Sequence, residues 1–329
     1  MLPDMGDGTD AATVSVVIPT RDRPELLRRA VRSVLAQQYP GPIECLVVVD
    51  SPDAPLPDLS DLTHSAGGPD LADGPGVTAG HRTVQVLRNT RTPGLAGARN
   101  SGYLAAVGAF LAGCDDDDEW LAGKVAAQVA LLDRNPGASL VSCGILVHLA
   151  GRDMPRDAVA GPLGFEDFLA DRHMEVHPST YLTRRSSVLD GFGLVDEEIP
   201  GGYAEDYEWL LRAARTGPVQ SVPERLVRVH WHEASFFTSR WQMIDEALTW
   251  LLDSVPEFET VPRGLGRVEG QLAFANAALG RRRQALGWAG RALRHHPTSR
   301  QAWASLPVAS GLVSADRVVS LARRHGRGL

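Results

Sequence analysis

Apolar positions follow two periodicities through the first half of the chain. Residues 14–18 form a β-branched run closing on Pro19 and Thr20, which reads as a short buried strand. Pro24 suits a first helical turn, and Leu26, Leu27, Ala30, Val31, Val34 and Leu35 then recur at helical spacing. Residues 43–49 are a second apolar strand, closed by Asp50. Strand, helix and strand in that succession predict parallel pairing through a right-handed crossover. Residues 51–80 are rich in Pro, Gly and Asp and are expected to form a long, partly disordered loop. Beyond it the pattern predicts a strand at 84–87, a helix at 99–107 and a strand at 109–114. A helix at 124–132, stopped by Asn135 and Pro136, and a strand at 140–149 leading to a sheet edge follow.

From Phe165 the chain changes character. A short helix, the stretch His177-Pro178-Ser179-Thr180, a helix at 207–214 and a late strand at 225–232 are expected. Beyond Trp241 the periodicity is helical throughout. Residues 268–279 and 282–294 read as an antiparallel pair joined at Gly280, with a third helix from Ser299. Ala273, Ala277, Ala285, Ala289 and Ala292 recur at helix–helix spacing, as in a tetratricopeptide-type hairpin. One such unit is not an array, which favours a packing appendage or a dimer surface.

Size and charge narrow the field. With 329 residues the chain has room for one catalytic domain and an appendage. A formal net charge of −7 argues against a general nucleic-acid binder, and the basic clusters at 281–283 and 323–324 read as a helix face and a tail. Cys45, Cys114 and Cys143 lie inside apolar runs without metal-ligand spacing, so they read as buried reduced thiols rather than structural zinc ligands. The acidic, Gly-rich start is not a signal peptide, and no run approaches the roughly 18 apolar residues of a membrane span. A soluble, cytoplasmic protein is expected, with peripheral membrane contact left open.

The chemistry concentrates in Asp115-Asp116-Asp117-Asp118-Glu119-Trp120. Four adjacent carboxylates repel one another, and they follow an apolar strand, where α/β sheets bind ligands. Hard oxygen donors select Mg²⁺ or Mn²⁺, ions that commonly carry a substrate's phosphates. The alternative is a solvated acidic loop.

Taken with the rest of the chain, these residues resemble the inverting nucleotide-sugar glycosyltransferases of family 2, which have the GT-A fold. The matching pieces run in family order over roughly residues 13–235. They are Val14 to Arg23, Val47 to Ser51, Gly94-Leu95-Ala96-Gly97-Ala98-Arg99-Asn100, Asp115 to Trp120, Glu205 to Arg212, and His232-Glu233-Ala234-Ser235. The resemblance implies a mixed, mostly parallel Rossmann-like α/β sheet flanked by helices, with a C-terminal all-α appendage. It implies a tail at 1–12, a GT-A domain at 13–240 (nucleotide-sugar half 13–120, acceptor half 121–240) and a helical domain at 241–329.

The resemblance also implies roles. Pro19, Thr20, Arg21 and Arg23 would lie along the nucleoside, with Asp50 accepting a hydrogen bond from the base or ribose. Arg99 would stand beside the nucleotide. Asp115 and Asp117 correspond to the Asp-x-Asp metal motif, with Asp115 at the ribose or metal shell, Asp117 on the cation, and Asp116 and Asp118 in support. The register could shift by one residue. His232 would complete the metal shell or close over the diphosphate, His230 could meet the same site, and His177 would fall near the acceptor side. Asp206, with Glu205 as neighbour, would deprotonate the acceptor, with helix capping as the alternative reading of both residues.

The implied activity is metal-dependent transfer from a nucleotide-sugar, a UDP-sugar first among them, with inversion and with Mn²⁺ or Mg²⁺ as cofactor. The acceptor is left among glycans, cell-wall or lipid-linked sugars, peptides and small metabolites. A homodimer through the C-terminal helices is a further expectation. The rivals are a nucleotidyltransferase on a similar fold, which lacks support from any Walker or Gly-x-Gly-x-x-Gly motif, and a degenerate transferase that only binds nucleotide or a partner.

Overall fold

β1 (Val14–Thr20) is buried at all seven positions, and so is β2 (Ile43–Val49). Strands covered on both faces read as continuous apolar runs, and a parallel sheet flanked by helices supplies that cover. The computed structural model describes residues 11–65, 81–231 and 240–324. Among these, α1 (Pro24–Leu35) follows β1 and turns Leu27, Ala30, Val31, Val34 and Leu35 inward. After β2 come α2 (Ser60–Ser65), β3 (Arg82–Arg88), α3 (Leu95–Ala105), β4 (Phe110–Gly113), β5 (Glu119–Trp120) and α4 (Lys124–Arg134). β6 (Leu140–Leu149), β7 (Arg152–Arg156), α5 (Phe165–Ala170), β8 (Leu182–Arg184), α6 (Glu205–Thr216) and β9 (Val219–His230) follow. The C-terminal helices are α7 (Trp241–Ser254), α8 (Pro262–Ala278), α9 (Arg282–His295), α10 (Arg300–Ala309) and α11 (Ala315–Arg324).

The sheet runs β3-β2-β1-β4-β8-β6-β9-β5, with β7 paired to β6. β1, β2, β3 and β4 are mutually parallel where they pair, as the strand-helix-strand pattern predicts. β8 then enters antiparallel to β4 and converts the sheet to mixed topology. The expectation for residues 140–149 is corrected here. β6 has the bounds read from sequence but lies inside the sheet, parallel to β9 on one side and antiparallel to β8 and β7 on the other. β9 begins six residues before the strand expected from Arg225, with Pro223 inside it next to a register shift in the β6 pairing.

Two compact units divide the chain, and they interleave along it. The first takes Met1–Pro162, Met174–Val195 and Thr216–His230; the second takes Leu163–His173, Asp196–Arg215 and Trp231–Leu329. Two segments of the helical unit thus come from within the stretch expected to be α/β. In that unit Gly280, with φ at +74°, lets the chain turn from α8 into α9. Ala273, Ala277, Ala285, Ala289 and Ala292 are all buried. The fully buried Glu269 accepts from Arg291 Nε at 2.8 Å and lies 2.7 Å from His295 Nδ1, tying α8 to α9.

In the first unit a glycine fixes how α3 starts. A Cβ on Gly97 would fall 1.9 Å from the Thr92 carbonyl oxygen, a backbone atom that cannot swing aside. Gly97→Ala is therefore expected to lower stability by about 1–3 kcal/mol or more, as forced overpacking does. The denaturant midpoint measures it, and an unchanged midpoint would show that the loop before α3 yields.

Candidate functional site

The acidic run sits where β4 ends and is held by groups from four other elements. Thr20 Oγ1, at the end of β1, donates to Asp116 Oδ2 at 2.7 Å. Arg23, just before α1, reaches Asp116 Oδ1 at 3.2 Å and Asp117 Oδ2 at 2.9 Å with the same Nη1. Arg29, one turn into α1, donates Nη2 to the Asp117 carbonyl at 2.8 Å. Arg99 is buried in α3, its Nη2 2.8 Å from Asp115 Oδ1. Asp118 is only 1 % exposed and Asp116 6 %, so the run is not a solvated loop.

Asp118 is the most tightly determined of the four carboxylates. Ser179 Oγ donates to its Oδ2 at 2.5 Å, and the His230 N–H donates to its Oδ1 at 3.1 Å. The Asp115 N–H in turn donates to Ser179 Oγ at 3.0 Å, and Trp120 Nε1 to the Ser179 carbonyl at 2.8 Å. Ser179 is thus the post on which both ends of the run hang. His177 Nδ1 lies 3.5 Å from Asp118 Oδ2. Asp115, Asp118 and His177 each offer one ligand atom, all within 4.8 Å of one another. Burial raises Asp117 to about 6, with Asp115 and Asp116 adding repulsion, and raises Asp116 as well. Asp118 is driven well above the usual carboxylate range, by burial first and then by Asp115 and Asp117. Carboxylates crowded out of water in this way suit a divalent cation, and oxygen donors with one imidazole fit Mn²⁺ or Mg²⁺.

The other residues singled out by the sequence fall as follows. Pro19 is buried in β1, beside Thr20. Asp50, at the end of β2, accepts from Asn89 Nδ2 at 2.8 Å and from the Gly94 N–H at 3.0 Å through Oδ1. Arg21 lies 4.0 Å from the other oxygen, Oδ2, with its side chain mostly in solvent. Asp50 thereby ties the loop before α3 to the sheet and still faces Arg21. His230 closes β9, and its Nε2 meets Glu119 Oε1 at 2.6 Å. Burial, the largest of its influences, leaves the His230 imidazole below its ordinary value. His232, with Glu233, Ala234 and Ser235, lies outside the described residues.

Asp206 and Glu205 open α6, in the second unit. There the Arg172 Nη2 donates to Asp206 at 2.9 Å and 2.8 Å, spanning both carboxylate oxygens. Glu205 is buried. Ala204, just before the helix, holds a positive φ of 66°, a strained conformation for alanine that aims the first turn. Tyr207 Oη donates to the Phe168 carbonyl at 2.5 Å and accepts from Arg267 Nη2 at 2.7 Å, which anchors the same turn from beneath.

Sequence reasoning overlooked Ser179's bonding role, Arg29, Arg172 and Lys124. None is in a motif: Arg29 reaches the Asp117 carbonyl 88 positions away, Ser179 the Asp118 carboxylate 61 away and Arg172 the Asp206 carboxylate 34 away, while Lys124 faces the Trp120 ring. Only Ser179 carried a signal, as part of the polar stretch after His177.

Residues 15–157 match the family model Glycosyl transferase family 2. Over that stretch, somewhat less than half of its length, the chain is similar to the family 2 glycosyltransferases. Its first and fourth motifs, at Val14 to Arg23 and Asp115 to Trp120, lie within or against that match. The chain is 29 % identical over 126 residues to UDP-Glc:alpha-D-GlcNAc-diphosphoundecaprenol beta-1,3-glucosyltransferase WfgD of Escherichia coli, covering 38 % of this chain and 43 % of that protein. It spans less than half the length of the curated relatives it matches. Among solved structures, S. aureus TarS 1-349 in complex with UDP-GlcNAc is similar with a TM-score of 0.56 and 15 % identity, over 96 % of this chain and 92 % of that one. The mannosyltransferase PcManGT from Pyrobaculum calidifontis, in complex with GDP-Man and Mn²⁺, has a TM-score of 0.51 and 19 % identity, over 95 % and 80 %. These likenesses show the fold, which is that of GT-A glycosyltransferases.

Proposed function

We propose that this protein transfers a sugar from a nucleotide-sugar to an acceptor hydroxyl or amine with inversion at the anomeric carbon. The observation that carries the reading is the acidic run at the end of β4, with Asp116 and Asp118 buried and Asp115, Asp118 and His177 converging. Similarity to family 2 supplies the context in which such a run faces a nucleoside diphosphate. The nucleotide-sugar complexes of TarS and PcManGT make UDP or GDP the first donors to examine, and UDP is favoured because WfgD also uses a UDP-sugar by its name.

Among the described residues, Asp115 belongs to the cluster of carboxylate and His side chains whose spacing could hold a divalent cation. Asp118 and His177 already converge on it, and Asp117 would join by exchanging its ion pair with Arg23. A bound cation would supply charge neutralisation for the departing diphosphate. Asp206 accepts the acceptor's proton as the acceptor atom bonds to the anomeric carbon. The bond from that carbon to the diphosphate oxygen breaks in the same displacement, so no glycosyl–enzyme bond forms. Arg172, bonded to both oxygens of Asp206, orients the base. Pro19, Thr20, Arg21 and Asp50 line the nucleoside, with Arg23 and Arg99 set against the same run of carboxylates.

Calorimetric titration of UDP, with GDP and dTDP alongside, tests the donor half in the presence of Mn²⁺ or a chelator. Metal-dependent UDP binding, weakened at least tenfold in Asp117→Ala and His177→Ala, is the expected outcome. Failure of every nucleotide to bind would replace transfer with a partner-binding role for a degenerate domain.

A further inference from the structure

The charge of this chain is divided unevenly. Residues 281–329 contain ten arginines and a single acid, Asp316, while the whole chain carries 33 basic and 40 acidic side chains. Two of those arginines serve the fold: Arg281 pairs with Asp245 and Arg291 with Glu269. Arg283, Arg294, Arg300 and Arg317 are exposed and form no ion pair among the described residues.

The same segment leaves its apolar side chains in solvent. Leu286 is 51 % exposed, Trp303 56 %, Leu312 79 % and Leu321 60 %. The two features share a spacing. On α9 Arg283 precedes Leu286 by three residues, on α10 Arg300 precedes Trp303 by three, and on α11 Arg317 precedes Leu321 by four. Three successive helices therefore each present an arginine and a large apolar side chain one turn apart on one face. Leu312 stands in the turn between the last two helices.

We infer that this helical end docks on an anionic lipid surface. Leucine and tryptophan side chains enter the boundary between headgroups and acyl chains, while arginines reach lipid phosphates from the same face. A soluble polyanion would need the arginines but would leave Leu312 and Leu321 in water. A second copy of the chain, joined by a two-fold axis, would set these arginines against their own counterparts. The lipid surface satisfies both the charge and the exposed carbon. The inference does not depend on the proposed transfer.

Sedimentation of the full chain with vesicles tests it, comparing phosphatidylcholine alone with phosphatidylcholine containing about 30 mol % phosphatidylglycerol, enough anionic lipid to give the vesicles a negative surface potential. Binding to the anionic vesicles that falls about a hundredfold in Arg283→Gln/Arg300→Gln/Arg317→Gln is expected. A loss of about tenfold or more is expected in Leu312→Ser/Leu321→Ser. Far-ultraviolet circular dichroism and melting confirm that both variants fold, and single substitutions replace any that do not. No capture by anionic vesicles would overturn the inference. So would equal capture by neutral ones, binding that soluble polyphosphate abolishes and Leu312→Ser/Leu321→Ser leaves intact, or a concentration-dependent dimer that excludes vesicles.

Discussion

Asp206→Asn is expected to lower turnover by about 10²–10⁴-fold while donor binding stays within a factor of about three, the range that loss of a general base produces. Asparagine keeps the shape of the side chain, and its amide oxygen can still accept one bond from Arg172. What it loses is the capacity to take a proton from the acceptor. The donor is proposed to bind through the acidic run of the other unit, so the nucleotide affinity read by calorimetry should not follow the rate. That split separates a base from a helix cap. A cap would survive the change, because asparagine caps a helix about as well as aspartate, so turnover and melting temperature would both change little. Full activity in the variant would remove Asp206 from the chemistry. Glu205 is the internal comparison. It is buried beside Asp206 at the start of α6, and Glu205→Gln should trade more stability for less rate.

Lys124 carries the second large expectation. It is the first residue of α4, fully buried, and its ammonium has no hydrogen-bond partner among the described residues. It lies 3.7 Å from the centre of the Trp120 ring, which returns about 2 kcal/mol. The helix N-terminus is itself a positive pole, so position and burial both work against the charge. Burial holds Lys124 down to about 8, from 10.5 for a free side chain. Lys124→Met, of similar length and without charge, is therefore expected to stabilise the protein by about 3 kcal/mol at pH 7.

The pH dependence gives that expectation its sign. At pH 7 the lysine is charged in folded and unfolded chains alike, and the whole cost of burial is felt. Between about 8 and 10.5 the folded protein releases its proton while the unfolded chain still holds one, so wild-type stability rises with pH relative to the variant. The advantage of Lys124→Met should shrink across that window and vanish above it. The buried thiols of Cys45 and Cys143 are pushed up to about 12 and about 11 and pull the opposite way, but they are present in both proteins. Urea midpoints at pH 7, 9 and 10.5 measure the difference directly. A variant less stable at pH 7, or an advantage flat with pH, would mean that the ammonium is satisfied where it lies.

The strands that form the first half of the sheet were legible because each is buried on both faces. β2 has the bounds its apolar run predicts, and β1 continues two residues past its run through Pro19 and Thr20. α1 was legible from its period and from Pro24. β6 was legible as a strand but not in its place, since nothing in an apolar run of ten says how many neighbours it has. β7, Arg152 to Arg156, has almost no apolar residues and exists because β6 extends past β8 and offers it an edge. β9 hides its start behind Pro223, which local pattern treats as a break.

The candidate site divides in the same way. Carboxylates announce themselves by adjacency, so Asp115 to Asp118 could be read directly. Their holders could not, because Ser179 and Arg29 are ordinary residues whose meaning comes only from what the fold brings beside them. Arg99 illustrates the middle case. The motif marked it as a group near the nucleotide, and the fold gives it a buried ion pair with Asp115, so it also positions the run that was read separately from it.

The grip on Asp118 has a consequence for the order of events during synthesis. Strands β1 to β4 are complete once residue 113 has left the ribosome, and their parallel pairing needs nothing further along the chain. Asp118, however, is held by Ser179 and by the backbone of His230, the latter 112 positions downstream. A nascent chain arrested before residue 230 would hold a nearly finished sheet with an unset row of carboxylates. Such an intermediate would bind cations loosely and without geometry, and the last strand to emerge would be the one that turns four acids into a site.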